Sequence, residues 1–249
     1  MTNNFSPGRS TRPQPAPIGL FLAPTSPSRR PAFARPGVPD WHGLSPNNVT
    51  YLIRHYTRFG DVVLDLDEHP TIAAAARYLR RAPAKLVTHG GTSRVRLVPP
   101  PPRQDRPRRV VCRPGPGADL VAVTLPRAGA GSLDLHALTR AMSTWRRLLR
   151  PGGHLIAALA APSPQAGTQP DVFSRRSTVI AAARAAGLLY HQHIPVLLVP
   201  LPEHDPRTDP EPAGEPADGR RLLDGRHVPA VRELVVFAGT ATAEEAPHA

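Results

Sequence analysis

Lysine is almost missing from this chain. Lys85 is the only one among 31 basic residues, and every other basic position is arginine. Cysteine occurs once, at Cys112, which excludes an intramolecular disulfide and suits a small apolar filler. No window reaches the roughly 18 apolar residues that a membrane-crossing helix needs. The polar, proline-rich first residues lack the apolar core of a signal peptide. A protein without membrane contact, working in the cytoplasm, is the expectation. Acidic residues number only 19, which leaves a formal net charge of +12. Arginine forks pair with phosphate, so nucleic acid is the partner that this balance suggests. The arginines are spread along the whole chain instead of forming a stripe, and a coding bias toward Arg, Ala and Pro also accounts for them.

What the chain has in excess is proline, 33 in 249 residues, and it is clustered. Residues 1–40 show prolines with Ser and Arg and no hydrophobic period, the pattern of a disordered arm. Within it Arg29, Arg30 and Arg35 are candidates for nucleic-acid contact. Two further stretches, 99–117 and 202–228, read as mobile loops, the first interrupted by a possible strand at Arg109–Cys112, and 240–249 reads as a disordered tail. One domain, 41–239, remains. No internal repeat is present.

Inside that domain strands and helices alternate. Val49, Leu52, Ile53 and Tyr56 fall at helical spacing behind a Ser45-Pro46 cap and first turn. Asp61–Leu66 is a continuous apolar run ended by acids, as in a strand buried on both faces. His69-Pro70 opens an alanine-rich helix to about Arg81. Lys85–Val87 and Val95–Val98 are short strands, with Gly90-Gly91 as a turn between them, and Asp119–Leu125 is another strand. Ser132–Arg150 carries a stripe of Leu135, Leu138, Met142, Trp145 and Leu149, with Pro151-Gly152-Gly153 as its stop. Trp145 belongs to the core on this reading. His154–Leu159 is a strand, Ser174–Ala186 a helix closed by Gly187, and Leu188–Leu201 and Val231–Phe237 are the last strands. No helix separates those two, so they should pair antiparallel. The fold class is α/β: a doubly wound, mostly parallel, Rossmann-like sheet with an antiparallel C-terminal strand pair.

The order of these segments resembles the bacterial DNA methyltransferases that modify exocyclic amino groups of adenine or cytosine. Gly60-Asp61-Val62-Val63-Leu64-Asp65 is similar to the family's strand before its cofactor loop, and Tyr51–Thr57 to the helix preceding it. Asp119–Arg127 is similar to the strand ending in the family's DPPY-type tetrad, Leu148-Leu149-Arg150-Pro151-Gly152-Gly153-His154-Leu155-Ile156 to its LLRPGG segment, and Arg232–Phe237 to its last strand. The likeness covers about 41–239. It implies a methyltransferase fold, S-adenosylmethionine as cofactor, and methyl transfer to a nucleophilic nitrogen. Asp65, Asp67, Thr71 and Thr88 are then the cofactor-side candidates, and Thr124, Pro126 and Arg127 the catalytic ones.

The departures fall on the chemistry. The turn after Asp65 reads Leu66-Asp67-Glu68-His69-Pro70-Thr71, without a glycine. Glycines there let a backbone pass close beneath a ligand at positive φ, whereas Pro70 neither adopts positive φ nor offers an N–H. Asp67 and Glu68 add carboxylates near the expected carboxylate of the cofactor; they could instead attract its ammonium. Thr88-His89 stands where related enzymes hold the ribose with an acid. In the tetrad Thr124 keeps one acceptor, Leu125 replaces a proline, Pro126 is retained, and Arg127 stands for the aromatic ring that stacks on a flipped base. His191 and His193 alternate and should share a strand face, but no third ligand stands at useful spacing, so no metal site is expected. Three functions follow: a methyltransferase-like protein related to DNA methylases, with cofactor loop and tetrad eroded; a non-catalytic arginine-rich scaffold for nucleic acid or protein; and a methyltransferase with a small-molecule acceptor, since no insert is large enough for a target-recognition domain.

Overall fold

The computed structural model describes residues 40–89, 92–99, 117–127, 133–159, 172–197, 222–223, 226–227 and 231–240. The arm at 1–40, apart from Asp40, the Arg109–Cys112 strand, Cys112 itself and the tail beyond Thr240 lie outside them. In chain order the elements are α1 (Pro46–Tyr56), β1 (Val62–Asp65), α2 (Pro70–Tyr78), β2 (Ala82–His89), β3 (Thr92–Leu97), β4 (Ala118–Leu125), α3 (Leu135–Arg146), β5 (Leu149–Leu159), α4 (Val172–Ala185), β6 (Leu188–Leu197), β7 (Leu222–Leu223), β8 (Arg226–His227) and β9 (Val231–Gly239).

Seven strands form one sheet in the order β3-β2-β1-β4-β5-β9-β6. β1 pairs parallel with β2 and β4, and β4 with β5, while β9 lies antiparallel between β5 and β6. This is the doubly wound, mostly parallel sheet with an antiparallel C-terminal strand that the alternation implies. The apolar runs of β1 and β4 are buried at every position. Their alternating side chains feed two cores. Val62 and Leu64 join Leu138, Met142 and Trp145 of α3 and Val179, Ala182 and Ala183 of α4. Val63, Leu120 and Ala122 face Val49, Leu52 and Ile53 of α1 and Ile72, Ala75 and Ala76 of α2. Trp145 is core, 5 % exposed.

Local chemistry sets the helix ends. Ser45 caps α1 by accepting the Asn48 N–H (3.3 Å), and Pro46 fills the first position, where no N–H is missed. Asp134 caps α3 through the Ala137 N–H (2.6 Å). α3 is shorter than its stripe suggests: the Leu148 N–H bends back to the Trp145 carbonyl, and the Leu148 carbonyl accepts the Ala118 N–H (2.7 Å). That bond draws the chain into the sheet before Pro151 is reached. Pro151-Gly152-Gly153 therefore sits inside the start of β5, at a register shift against β4, instead of ending a helix. Leu149 has left the helix, and Leu135 is 42 % exposed.

Two further features differ from the sequence pattern. β3 runs antiparallel to β2, with Ala84 opposite Leu97 and His89 opposite Thr92. Only residues 90–91 join them, too few for the crossover that a parallel neighbour needs. Within the stretch expected to be loop, 202–228, β7 and β8 form a small antiparallel pair.

Candidate functional site

The connection from β1 leaves through α2 toward one face of the sheet, and that from β4 leaves through α3 toward the other. The adjacent carboxyl ends of β1 and β4 are thus a topological switch point, where open α/β sheets place their ligand crevice. The sequence elements at that point are the turn 66–69 and the segment Thr124–Arg127.

Asp65 organises the turn. Its buried carboxylate accepts the N–H of Asp67 (2.9 Å) and of His69 (2.5 Å). Burial pushes this carboxyl up to about 6 against those two bonds, which favour its charged form; Asp67 and Glu68 raise it further. Without a glycine, the chain still reverses through the left-handed region, and Glu68 carries the strain at φ 53°. His69 caps α2 by accepting the Thr71 N–H on Nδ1 (3.3 Å), and Pro70 follows at the first helical position. The Glu68 carboxylate lies 3.7 Å from the Lys85 ammonium, but both are exposed enough for the pair to contribute little.

Side chains cross this switch point twice. The Asp67 carboxylate reaches over to accept the Thr124 N–H (2.7 Å). Arg127 reaches back, donating to the Leu66 carbonyl (2.7 Å) with its guanidinium 3.8 Å from Asp67. The Thr124 hydroxyl is hydrogen-bonded to His42 Nε2. His42 sits at φ 51° in a tight turn between Trp41 and Leu44, ahead of α1. Burial lowers its pKa, as do nearby His69 and Arg232, against the pull of Asp67. His69 is likewise lowered by burial, opposed by Asp67 and Asp40. Both rings are neutral near pH 7.

Asp65, Asp67, Thr124 and Arg127 are therefore brought together. Pro126 adjoins them, half-buried after a cis peptide bond with Leu125. Thr71 is 1 % exposed, packed inside the first turn of α2. Thr88 stands apart, exposed on the β2–β3 hairpin with its hydroxyl 3.0 Å from that of Ser93. His42 was not singled out by the sequence. Its only signal there is a glycine-bearing turn, Trp41-His42-Gly43-Leu44, before a helix cap.

His191 and His193 do not share a face. The register of β6 against β9 shifts between Tyr190 and Gln192, and that extra residue turns the two rings apart. His193 lies 3.6 Å from Glu233, which Arg176 of α4 also binds, whereas His191 faces Tyr56 of α1. Among the described residues no three His, Cys, Asp or Glu side chains converge as metal ligands, and no helix is long and apolar enough to cross a membrane.

S-adenosylmethionine is the cofactor that the sequence resemblance implies, and the turn suits one end of its amino-acid part. The carboxylates of Asp67 and Glu68 match the ammonium. The cofactor's carboxylate would need N–H donors, but those of Asp67, His69 and Thr71 are already given to Asp65 and His69, and Pro70 has none.

No protein-family model matches the chain, and no curated protein matches it. Among solved structures it is similar to geranyl diphosphate C-methyltransferase from Streptomyces coelicolor A3(2), at 14% identity over 90% of this chain and 88% of that one, with a TM-score of 0.44. It is similar to a methyltransferase from Pyrococcus furiosus at 11% identity, over 79% and 84% of the two chains, with a TM-score of 0.42. The N-methyltransferase NodS from Bradyrhizobium japonicum WM9 matches at 13% identity, over 78% and 96%, with a TM-score of 0.34.

Proposed function

We propose that this chain is a methyltransferase-like protein that keeps an S-adenosylmethionine-type crevice at the β1–β4 switch point and holds it latched with its own side chains. One observation carries the reading: the Asp67 carboxylate spans the crevice to the Thr124 N–H while Arg127 spans it in the opposite sense to the Leu66 carbonyl. Kinship to DNA amino-methylases is supported by the order of the sequence motifs. Amine methylation itself has little support at the tetrad. Thr124 has its hydroxyl engaged by His42 and its N–H by Asp67, so neither is free to orient a target nitrogen. The Arg127 guanidinium lies back along the turn instead of offering a plane to a base. When bound, the cofactor supplies an electrophilic methyl group. Asp67 and Glu68 would hold its ammonium once Arg127 withdraws, and Asp65 fixes the turn on which they stand.

Calorimetry with S-adenosylmethionine and S-adenosylhomocysteine, on the whole chain and on Arg127→Ala, tests this. The expected result is weak binding to the wild type, tightened at least fivefold in the variant. Micromolar binding to the wild type, unchanged in Arg127→Ala, removes the latch. Absence of binding to both at millimolar cofactor removes the cofactor reading altogether.

A further inference from the structure

The opposite end of the sheet holds a cleft of about 400 Å³, lined among others by His55, Tyr56, Arg58, Gly152, Gly153 and His154. It lies at the amino ends of β4 and β5, away from the switch point. A continuous series of rings leads into it. Tyr51 and His55, one turn apart on α1, stack at 6.2 Å with 16° between their planes. His55 meets Tyr56 edge-on at 4.9 Å, Tyr56 meets His154 at 5.1 Å, and His154 meets His191 at 5.0 Å. Tyr56 is pinned by a hydrogen bond from its hydroxyl to Gln192 of β6. Gly152, at φ +75°, has nothing within 4 Å of where a Cβ would stand, so main chain is open to the cleft there.

Arg58 lines the cleft, and its chain neighbours Arg54, near the end of α1, and Phe59 are exposed beside it. The end of α2 joins this segment through the Gly60 N–H to the Arg80 carbonyl (3.1 Å) and brings Tyr78 and Arg80. Tyr51, Phe59 and Tyr78 are 59 %, 59 % and 58 % exposed. Between Trp41 and Leu97 the only acids are Asp61, Asp65, Asp67 and Glu68; of these, only Asp61 adjoins the cleft. It is buried, with its carboxylate on the Arg58 N–H (2.7 Å). Asp119, the other acid lining the cleft, bonds the Val62 N–H (2.7 Å) and the Arg150 guanidinium (2.8 Å). The Arg150 guanidinium balances the charge of Asp119, and Asp61 is held below the surface by the Arg58 N–H. His154 is held down at about 4, by burial first and then by His191 and His55, so its ring is neutral at pH 7 and suits stacking.

Exposed rings among arginines, leading into a cleft with room for a base, are the arrangement by which proteins hold unpaired bases and their phosphates. We propose that this rim binds single-stranded nucleic acid, seating one base in the cleft beside His55, Tyr56 and His154 and the flanking phosphates on Arg54, Arg58 and Arg80. A duplex keeps its bases stacked and would leave the cleft unused. The proposal stands apart from the switch-point reading, because none of these residues belongs to that crevice.

Fluorescence anisotropy on the full chain with labelled 12-residue oligo-dT and oligo-U, across a salt series, decides it. Each arginine that neutralises a phosphate of a single strand contributes about 0.7 to the slope of log affinity against log salt. Arg54→Gln combined with Arg58→Gln should lower that slope by about 1.4 and weaken binding at least tenfold; Tyr51→Ala should weaken binding about tenfold through lost stacking. All three side chains are at the surface, so thermal unfolding should be unchanged. A triple variant of the arm, Arg29→Gln, Arg30→Gln and Arg35→Gln, should retain the rim's share of the slope. The proposal fails if the wild type binds neither oligomer, if the rim variants bind like wild type, if only the arm variant loses affinity, or if a 12-base-pair duplex binds as tightly as the single strands.

Discussion

The two ends of the sheet are built on the same strands and treat polar side chains in opposite ways. At the carboxyl ends of β1 and β4, Asp65, Asp67, Thr124, Arg127 and His42 are bonded to one another or to nearby backbone, and the crevice is crossed from both sides. At the amino ends, His55, Tyr56 and His154 meet mainly through ring contacts around an open cleft, lined by Arg58 and by the carboxylates of Asp61 and Asp119. Where sequence resemblance points to chemistry, the polar groups are engaged internally. At the other end, where the resembling segments carry no expected chemistry, ring contacts and Arg58 line the cleft.

The contrast can be broken most sharply at Asp67. Asp67→Ala leaves the buried Thr124 N–H without an acceptor and Arg127 without its carboxylate, and should lower stability by about 2 kcal/mol in urea unfolding. A loss below a few tenths would mean that the crossing is not holding the crevice. Acid sharpens the comparison, because the two ends respond with opposite signs. His154 has a folded-state pKa near 4, below its ordinary 6.5, so its contribution to stability is present above 6.5 and is lost as pH falls from there toward about 4. The urea midpoint should drop in that window, and His154→Gln should flatten the drop. Asp65 is raised to about 6, so its contribution is fully present below about 3.8 and is lost as pH rises through 6. Subtracting the profile of Asp65→Asn from that of the wild type should expose this smaller trend. A difference profile of the same sign at both residues would contradict burial as the cause of the two shifts, since burial disfavours the charged form of a base and of an acid in opposite pH directions. The smallest effect belongs to Glu68. Glycine relieves a side chain held at φ 53°, so Glu68→Gly should raise stability by about 0.5–1 kcal/mol.

Much of the architecture could be read from residue order because burial on both faces leaves a strong imprint. Val62–Leu64 and Leu120–Val123 are unbroken apolar runs, and Ser45-Pro46 and His69-Pro70 mark helix starts by local chemistry that needs no tertiary context. What escaped the sequence depends on how strands pair, which hydrophobic period alone does not give. The end of α3 is set by a bond from Ala118 to Leu148, and the direction of β3 by the shortness of its connection. The facing of His191 and His193 is set by one irregular residue in β6, which no count of alternation reveals. At the crevice, Asp65, Asp67, Thr124 and Arg127 could be nominated from their place after two strands, but their mutual bonds could not. His42 comes from a turn before α1, and only the packing of Trp41 against the sheet delivers its ring to Thr124.

β9 is made last among the seven strands yet lies within the sheet, and among the described residues it is the only hydrogen-bonded neighbour of β6. During synthesis β5 and β6 must therefore wait with open edges until residues 231–239 have left the ribosome. Deleting that segment should convert a foldable chain into one that seeks strand partners on other molecules, and the loss would appear as aggregation during expression rather than as a milder melting temperature.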